Sequence, residues 1–193
     1  MASYSQKLIL ITLILTITIP ISTAHRRRWG RRSPSRRGGD DNAEQFLRDI
    51  CSSHEKADTC LSLIKGDPRL FDNSNSVDAV NDVIDLALEK INAFGEQLNK
   101  WYEDTNDDSI RGRYRTCAEN YDDVRAHVED AERDFGSDDF RSVADRVDEA
   151  RDELERCKQV FGPGSIDPGH VENRNNEIEI YLDIVRDATT RLD

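Results

Sequence analysis

The sequence predicts an all-α fold: an up-down-up-down four-helix bundle entered through an N-terminal helical hairpin and closed by two disulfides. Three observations carry that expectation. Apolar residues recur at alternating steps of three and four along four long stretches. No stretch shows the period of two that a half-buried strand needs. Four cysteines lie in a chain that opens like an exported protein.

Lys7 precedes an apolar run from Leu8 to Ile19, which Pro20 ends, and Ser22, Thr23 and Ala24 then supply a small-residue cleavage site. Those three parts predict a secretory signal peptide over residues 1–24. The run is twelve residues long, short of the ~20 that a bilayer span requires. No membrane association is therefore expected after cleavage. Residues 25–41 follow with Arg26, Arg27, Arg28, Arg31, Arg32, Arg36 and Arg37 and no apolar periodicity, which predicts a basic flexible tail. A run of this sign marks an anionic partner.

The bundle domain is expected over residues 42–193. Its hairpin comprises Asn42 to Cys51, with Ala43, Phe46, Leu47 and Ile50 on one face, and Ala57 to Ile64, with Cys60 and Leu61. Gly66, Asp67 and Pro68 end it. The first long helix, about 75–104, has the stripe Val77, Val80, Ile84, Ala87, Ile91, Phe94, Leu98, Trp101. At 1.5 Å per residue it is ~45 Å long, and Gly95 is a candidate bend. The second carries Ile110, Tyr114, Cys117, Tyr121, Val124, Val128, Ala131 and Phe135. The third carries Phe140, Val143, Val147, Ala150, Leu154, Cys157 and Phe161, with Ser137 as its expected N-cap. The fourth carries Val171, Ile178, Tyr181, Leu182, Val185, Ala188 and Leu192 after a connector rich in Gly and Pro. Short links make successive helices antiparallel neighbours.

Hairpin geometry then pairs the cysteines. Two residues face each other across a hairpin when their mean position falls on the turn. For Cys117 and Cys157 that mean is residue 137, and for Cys51 and Cys60 it lies between residues 55 and 56. The expected bonds are Cys51–Cys60 and Cys117–Cys157. The chain-entropy model assigns them about 2.7 and about 3.9 kcal/mol. Such support matters in a chain whose Leu, Ile, Val and Phe after residue 24 number 35 of 169, near the disordered regime.

Charge excludes one large class of function. Residues 1–39 hold eight bases and no acid, which leaves 19 of the 27 bases against all 39 acids in residues 40–193, a net of −20. Phosphate backbones repel such a body, so no nucleic-acid partner is expected. Catalytic and cofactor signatures are also missing. None of His25, His54, His127 and His170 lies in a His-Glu-x-x-His motif, and no nucleophile elbow or phosphate loop occurs. Asp104, Asn106 and Asp108 open like a calcium loop, but Ser109 stands where Gly is needed and Arg115 where a bidentate acid is needed. Neither enzyme activity, metal nor cofactor is expected.

A family resemblance lies in Asp49, Ile50 and Cys51, then Asp58, Thr59, Cys60 and Leu61, then Gly66, Asp67 and Pro68. Cys117 to Asn120 followed by Tyr121 to Val124, and Cys157 with Phe161 soon after, add to it. Over about 43–193 the chain resembles the plant invertase/pectin methylesterase inhibitor family. The resemblance implies the same fold and disulfides, an apoplastic or cell-wall location, and a protein that blocks a wall enzyme in a one-to-one complex. The target that the resemblance implies is pectin methylesterase or acid invertase. Invertase inhibitors tend to show Pro-Lys-Phe where this chain has Asp138, Asp139 and Phe140, and many pectin methylesterase inhibitors show Thr where it has Arg156. Charge favours the first target, because the resemblance implies a basic esterase that binds a polyanion and would attract an acidic bundle. Asp138, Asp139 and Phe140 are the candidate partner contacts. Anionic pectin is the candidate ligand of Arg26–Arg37, and a wall-tethered protein that inhibits nothing is the remaining alternative.

Overall fold

The computed structural model describes residues 42–70, 73, 75–162 and 164–192. The expected signal peptide and basic tail lie outside the described residues. Helices α1 (Ala43–Ser53), α2 (Ala57–Lys65), α3 (Ser76–Asp104), α4 (Asp108–Phe135), α5 (Phe140–Val160) and α6 (Val171–Leu192) follow one another, with a 3-10 turn at Pro68–Leu70. Among the described residues there is no strand.

Each long helix packs on two others: α3 on α4 and α6, and α5 on α4 and α6. Side-chain pairs give the directions. Phe94 meets Tyr121, and Trp101 meets Tyr114, across α3 and α4. Phe135 meets Phe140, and His127 meets Glu149, across α4 and α5. Asp148 meets Arg186, and Lys158 meets Glu179, across α5 and α6. In each set one residue number rises as the other falls, so successive helices run antiparallel. The α1–α2 hairpin packs on α3 and α6 through α1, and it buries Leu47, Ile50, Cys51, Cys60 and Ile64.

The buried faces are wider than the sequence stripes. Ala79, Val83 and Leu86 join the α3 core, because α1 and the 3-10 turn cover a further side of that helix. Val77 lies outside it, 42% exposed, although it falls on the apolar stripe. It sits in the first turn of α3. Gly95 interrupts nothing: α3 continues through it, and a Cβ there would meet Tyr121 Cβ at an ordinary 3.8 Å. The disulfides join Cys51 to Cys60 and Cys117 to Cys157, with Cα separations of 5.4 and 4.7 Å.

Side chains cap the helix starts. Asn75 accepts from the Asp78 N–H, and Asp107 accepts from the N–H groups of Ser109 and Ile110. The stretch that opens like a calcium loop is therefore a capped helix junction, in which Asp108 pairs with Arg111. The expected Ser137 cap is corrected to Asp139, whose carboxylate takes the Ser142 N–H. Ser137 instead donates its hydroxyl to the carbonyls of Arg133 and Asp134, because α4 runs to Phe135 and Ser137 still lies over its last turn.

Candidate functional site

The three candidate contact residues sit at the α4–α5 turn and differ in what is left for a partner. Phe140 is half-buried, its ring 5.4 Å from that of Phe135. Asp139 holds the start of α5. Its carboxylate accepts the Ser142 hydroxyl at 2.7 Å and N–H at 3.2 Å, and these bonds keep it below the usual carboxylate range. Asp138 alone is free. It is exposed, its backbone is left-handed with φ 62°, and its carboxylate has no ion-pair partner among the described residues. The turn thus projects one bare charge from a rigid base.

Below the turn, polar pairs line the α4–α5 seam. Asp134 lies 3.7 Å from Arg146 and His127 lies 3.2 Å from Glu149. Further down, the Cys117–Cys157 bond clamps the two helices. Most acids of this hairpin have an arginine one turn away, as in Arg115–Glu119, Arg125–Asp122 and Arg133–Asp130. Each such exposed pair adds little stability, but it cancels charge. α4 holds eight acids against five bases and α5 holds six against five. α3 is barer, with seven acids against Lys90 and Lys100.

Behind the seam lies a buried polar network that the apolar periodicity did not reveal. Asn175 of α6 is fully buried and sits where the stripe of that helix skips a turn. The Tyr121 hydroxyl donates to Asn175 Oδ1 at 2.7 Å, and Asn175 Nδ2 lies 3.4 Å from Cys157 Sγ. One side chain therefore ties α6 to α4 and to the disulfide. The Tyr121 hydroxyl is pushed well above its ordinary value, chiefly by burial. Among the described residues no three His, Cys, Asp or Glu side chains are grouped to hold a metal ion. No described helix is long and apolar enough to cross a membrane.

The model of the plant invertase/pectin methylesterase inhibitor family matches residues 45–185. The chain belongs to that family. Membership places it among proteins that inhibit enzymes, not among enzymes. A pectinesterase inhibitor of Actinidia deliciosa is 25% identical over 142 residues, covering 72% of this chain and 75% of that one. A mutant form of a pectin methylesterase inhibitor from Arabidopsis superposes with a TM-score of 0.68 at 17% identity, over 75% of this chain and 95% of that one. A pectin methylesterase inhibitor from Arabidopsis thaliana gives 0.59 at 18% identity, over 79% and 98%. These likenesses show the same helical fold.

Proposed function

We propose that this chain is a secreted inhibitor of pectin methylesterase that binds one enzyme molecule and covers its substrate cleft with the α4–α5 face. The observation that carries the reading is the family match over 45–185, together with a pectinesterase inhibitor as its curated relative. Charge supports it. The net of −20 over residues 40–193 suits a basic cleft that accepts an anionic polymer. Asp138, held out at the tip of the α4–α5 turn, is the first contact, and Asp139 and Phe140 set its position. Arg26–Arg37 would hold the protein on anionic pectin in the wall.

Titration of purified protein against a basic pectin methylesterase and an acid invertase tests the target. Inhibition of the esterase alone is expected, and the reverse would transfer the reading to invertase, which the family description also names. Association should slow as salt rises, because the Debye length falls to ~10 Å at 0.1 M. Retention on a pectin column by the full chain but not by residues 40–193 tests the tail.

A further inference from the structure

His54 joins the hairpin to the bundle through both of its ring nitrogens. It lies between α1 and α2, with its side chain only 9% exposed. Nε2 is 3.0 Å from Asp183 Oδ2 of α6. Nδ1 accepts the N–H of Lys56 at 2.9 Å. A backbone amide can only donate, so Nδ1 carries no hydrogen and the proton of the neutral ring is on Nε2, pointed at Asp183. Lys56 is the N-cap residue of α2, and its side chain makes no capping bond. The Lys56 carbonyl accepts from Cys60 at 2.9 Å. The imidazole therefore anchors the amide from which α2 starts.

We propose that His54 is a proton-operated clasp that shifts the hold on the hairpin from its own turn to α6. When the ring gains a second proton, Nδ1 becomes a donor and faces the Lys56 N–H donor to donor. That bond is lost, and the first turn of α2 loosens. The Nε2 bond to the Asp183 carboxylate becomes a bond between opposite charges and tightens. Histidine is the side chain whose charge ordinarily changes between pH 5 and 8. The Cys51–Cys60 bond spans the same turn and keeps the loosening local.

The charged groups facing the ring come from three directions. Glu55 and Lys56 belong to the turn itself, and Arg151 of α5 holds the other Asp183 oxygen at 3.3 Å. α6 contributes Glu179, Arg186 and Asp187 besides Asp183. Lys56 Nζ is engaged with Glu179 at 3.3 Å, and Arg191 reaches the Ser53 hydroxyl at 3.3 Å. Four carboxylates and three cations thus line the site around the imidazole, with Arg191 beside them on Ser53, so a charge on the ring enters a nearly balanced surrounding.

The test is nitrogen NMR and amide exchange on the full chain with both disulfides formed. At pH 7.5, Nδ1 should show the shift of an unprotonated acceptor and Nε2 that of a protonated nitrogen. Between pH 7.5 and 5, protection of the Lys56 amide, corrected for intrinsic exchange, should fall about tenfold, the scale of one lost hydrogen bond. In His54→Asn the side-chain oxygen can take the place of Nδ1 without titrating, so Lys56 protection should become independent of pH. A neutral ring protonated on Nδ1 would overturn the proposal. So would wild-type Lys56 protection that does not change with pH, or an equal fall in His54→Asn. The ring-nitrogen measurement decides on wild-type protein if that variant does not fold.

Discussion

Tyr121→Phe removes one oxygen atom from the middle of the bundle and leaves Asn175 Oδ1 without its donor. Both residues are buried, Tyr121 at 1% and Asn175 at 0% exposure, so water cannot replace the lost bond. The bond is short, 2.7 Å, and the amide's other contact is a disulfide sulfur at 3.4 Å, a weak acceptor. An orphaned buried polar atom costs about 1–3 kcal/mol. In a domain of this size that lowers Tm by about 2–4 °C per kcal/mol. Asn175→Ala should cost more than Tyr121→Phe. It orphans the Tyr121 hydroxyl and adds a cavity worth about 24 cal/mol per Å³ left unfilled. Tyr121→Phe combined with Asn175→Leu replaces both partners by apolar groups of similar shape and should recover most of the loss. The assay is urea unfolding with disulfides intact, comparing midpoints at unchanged slope. If the two single changes added without coupling, or if Tyr121→Phe cost under about 0.5 kcal/mol, the network would not be the tie described here.

Gly95→Ala should stabilise by up to ~1 kcal/mol, since the new methyl meets Tyr121 Cβ at 3.8 Å and the helix loses a flexible residue. Gly169→Ala should destabilise by about 1–3 kcal/mol, because its Cβ would lie 2.6 Å from the Trp101 ring, and tryptophan fluorescence should report the shift. Two carboxylates should respond to pH with opposite signs. Burial alone would raise Glu179, but the ammonium of Lys158 at 2.8 Å, with Lys56 beside it, keeps it below the ordinary range. Its stabilisation is present above the unfolded value of ~4.3 and is lost as pH falls through the lower folded one. Glu179→Gln should therefore weaken the protein at pH 7 and not in strong acid. Glu132 is raised, first by burial and then by Asp85 and Glu129. Its charge is a penalty at neutral pH that lifts as pH falls through the raised value, so Glu132→Gln should stabilise at pH 7 with a gain that fades towards pH 4. Opening Cys117–Cys157 should cost more than opening Cys51–Cys60, about 3.9 against about 2.7 kcal/mol, read from denaturation of the paired Cys→Ser variants.

The helices and disulfides were legible because they follow from local spacing. A repeat of three and four marks each stripe, and the mean position of two cysteines marks a turn. Three things were not legible, each because tertiary packing decides it. Asn175 reads as a gap in the α6 stripe, and only the opposing Tyr121 hydroxyl makes it a core residue. Val77 reads as core, yet in the first turn of α3 it is exposed. Ser137, Asp138 and Asp139 are all chemically able to begin α5. The choice of Asp139 depends on where α4 ends and on the left-handed residue at 138. The candidate contact residues do fall at the α4–α5 turn, but the sequence could not separate the free carboxylate from the one spent on capping.

The distribution of charge separates what the acidic body does at a distance from what it does in contact. The face proposed to meet the enzyme is nearly neutralised by its own arginines: α4 carries a net of −3 and α5 of −1. α3 carries −5 over 29 residues. The charge on α3, the most acidic of the long helices, acts before the surfaces touch, so on the proposed reading it contributes to the rate of association and is screened by salt. On the same proposed reading Asp138 acts only once docked and governs the rate of release. Replacing Asp82 and Glu96 of α3 by Asn and Gln should then slow association at low salt and leave release unchanged, while Asp138→Asn should do the reverse. Stopped-flow binding to a basic pectin methylesterase measures both. Equal effects of the two changes on the association rate would mean that steering and contact are carried by one surface.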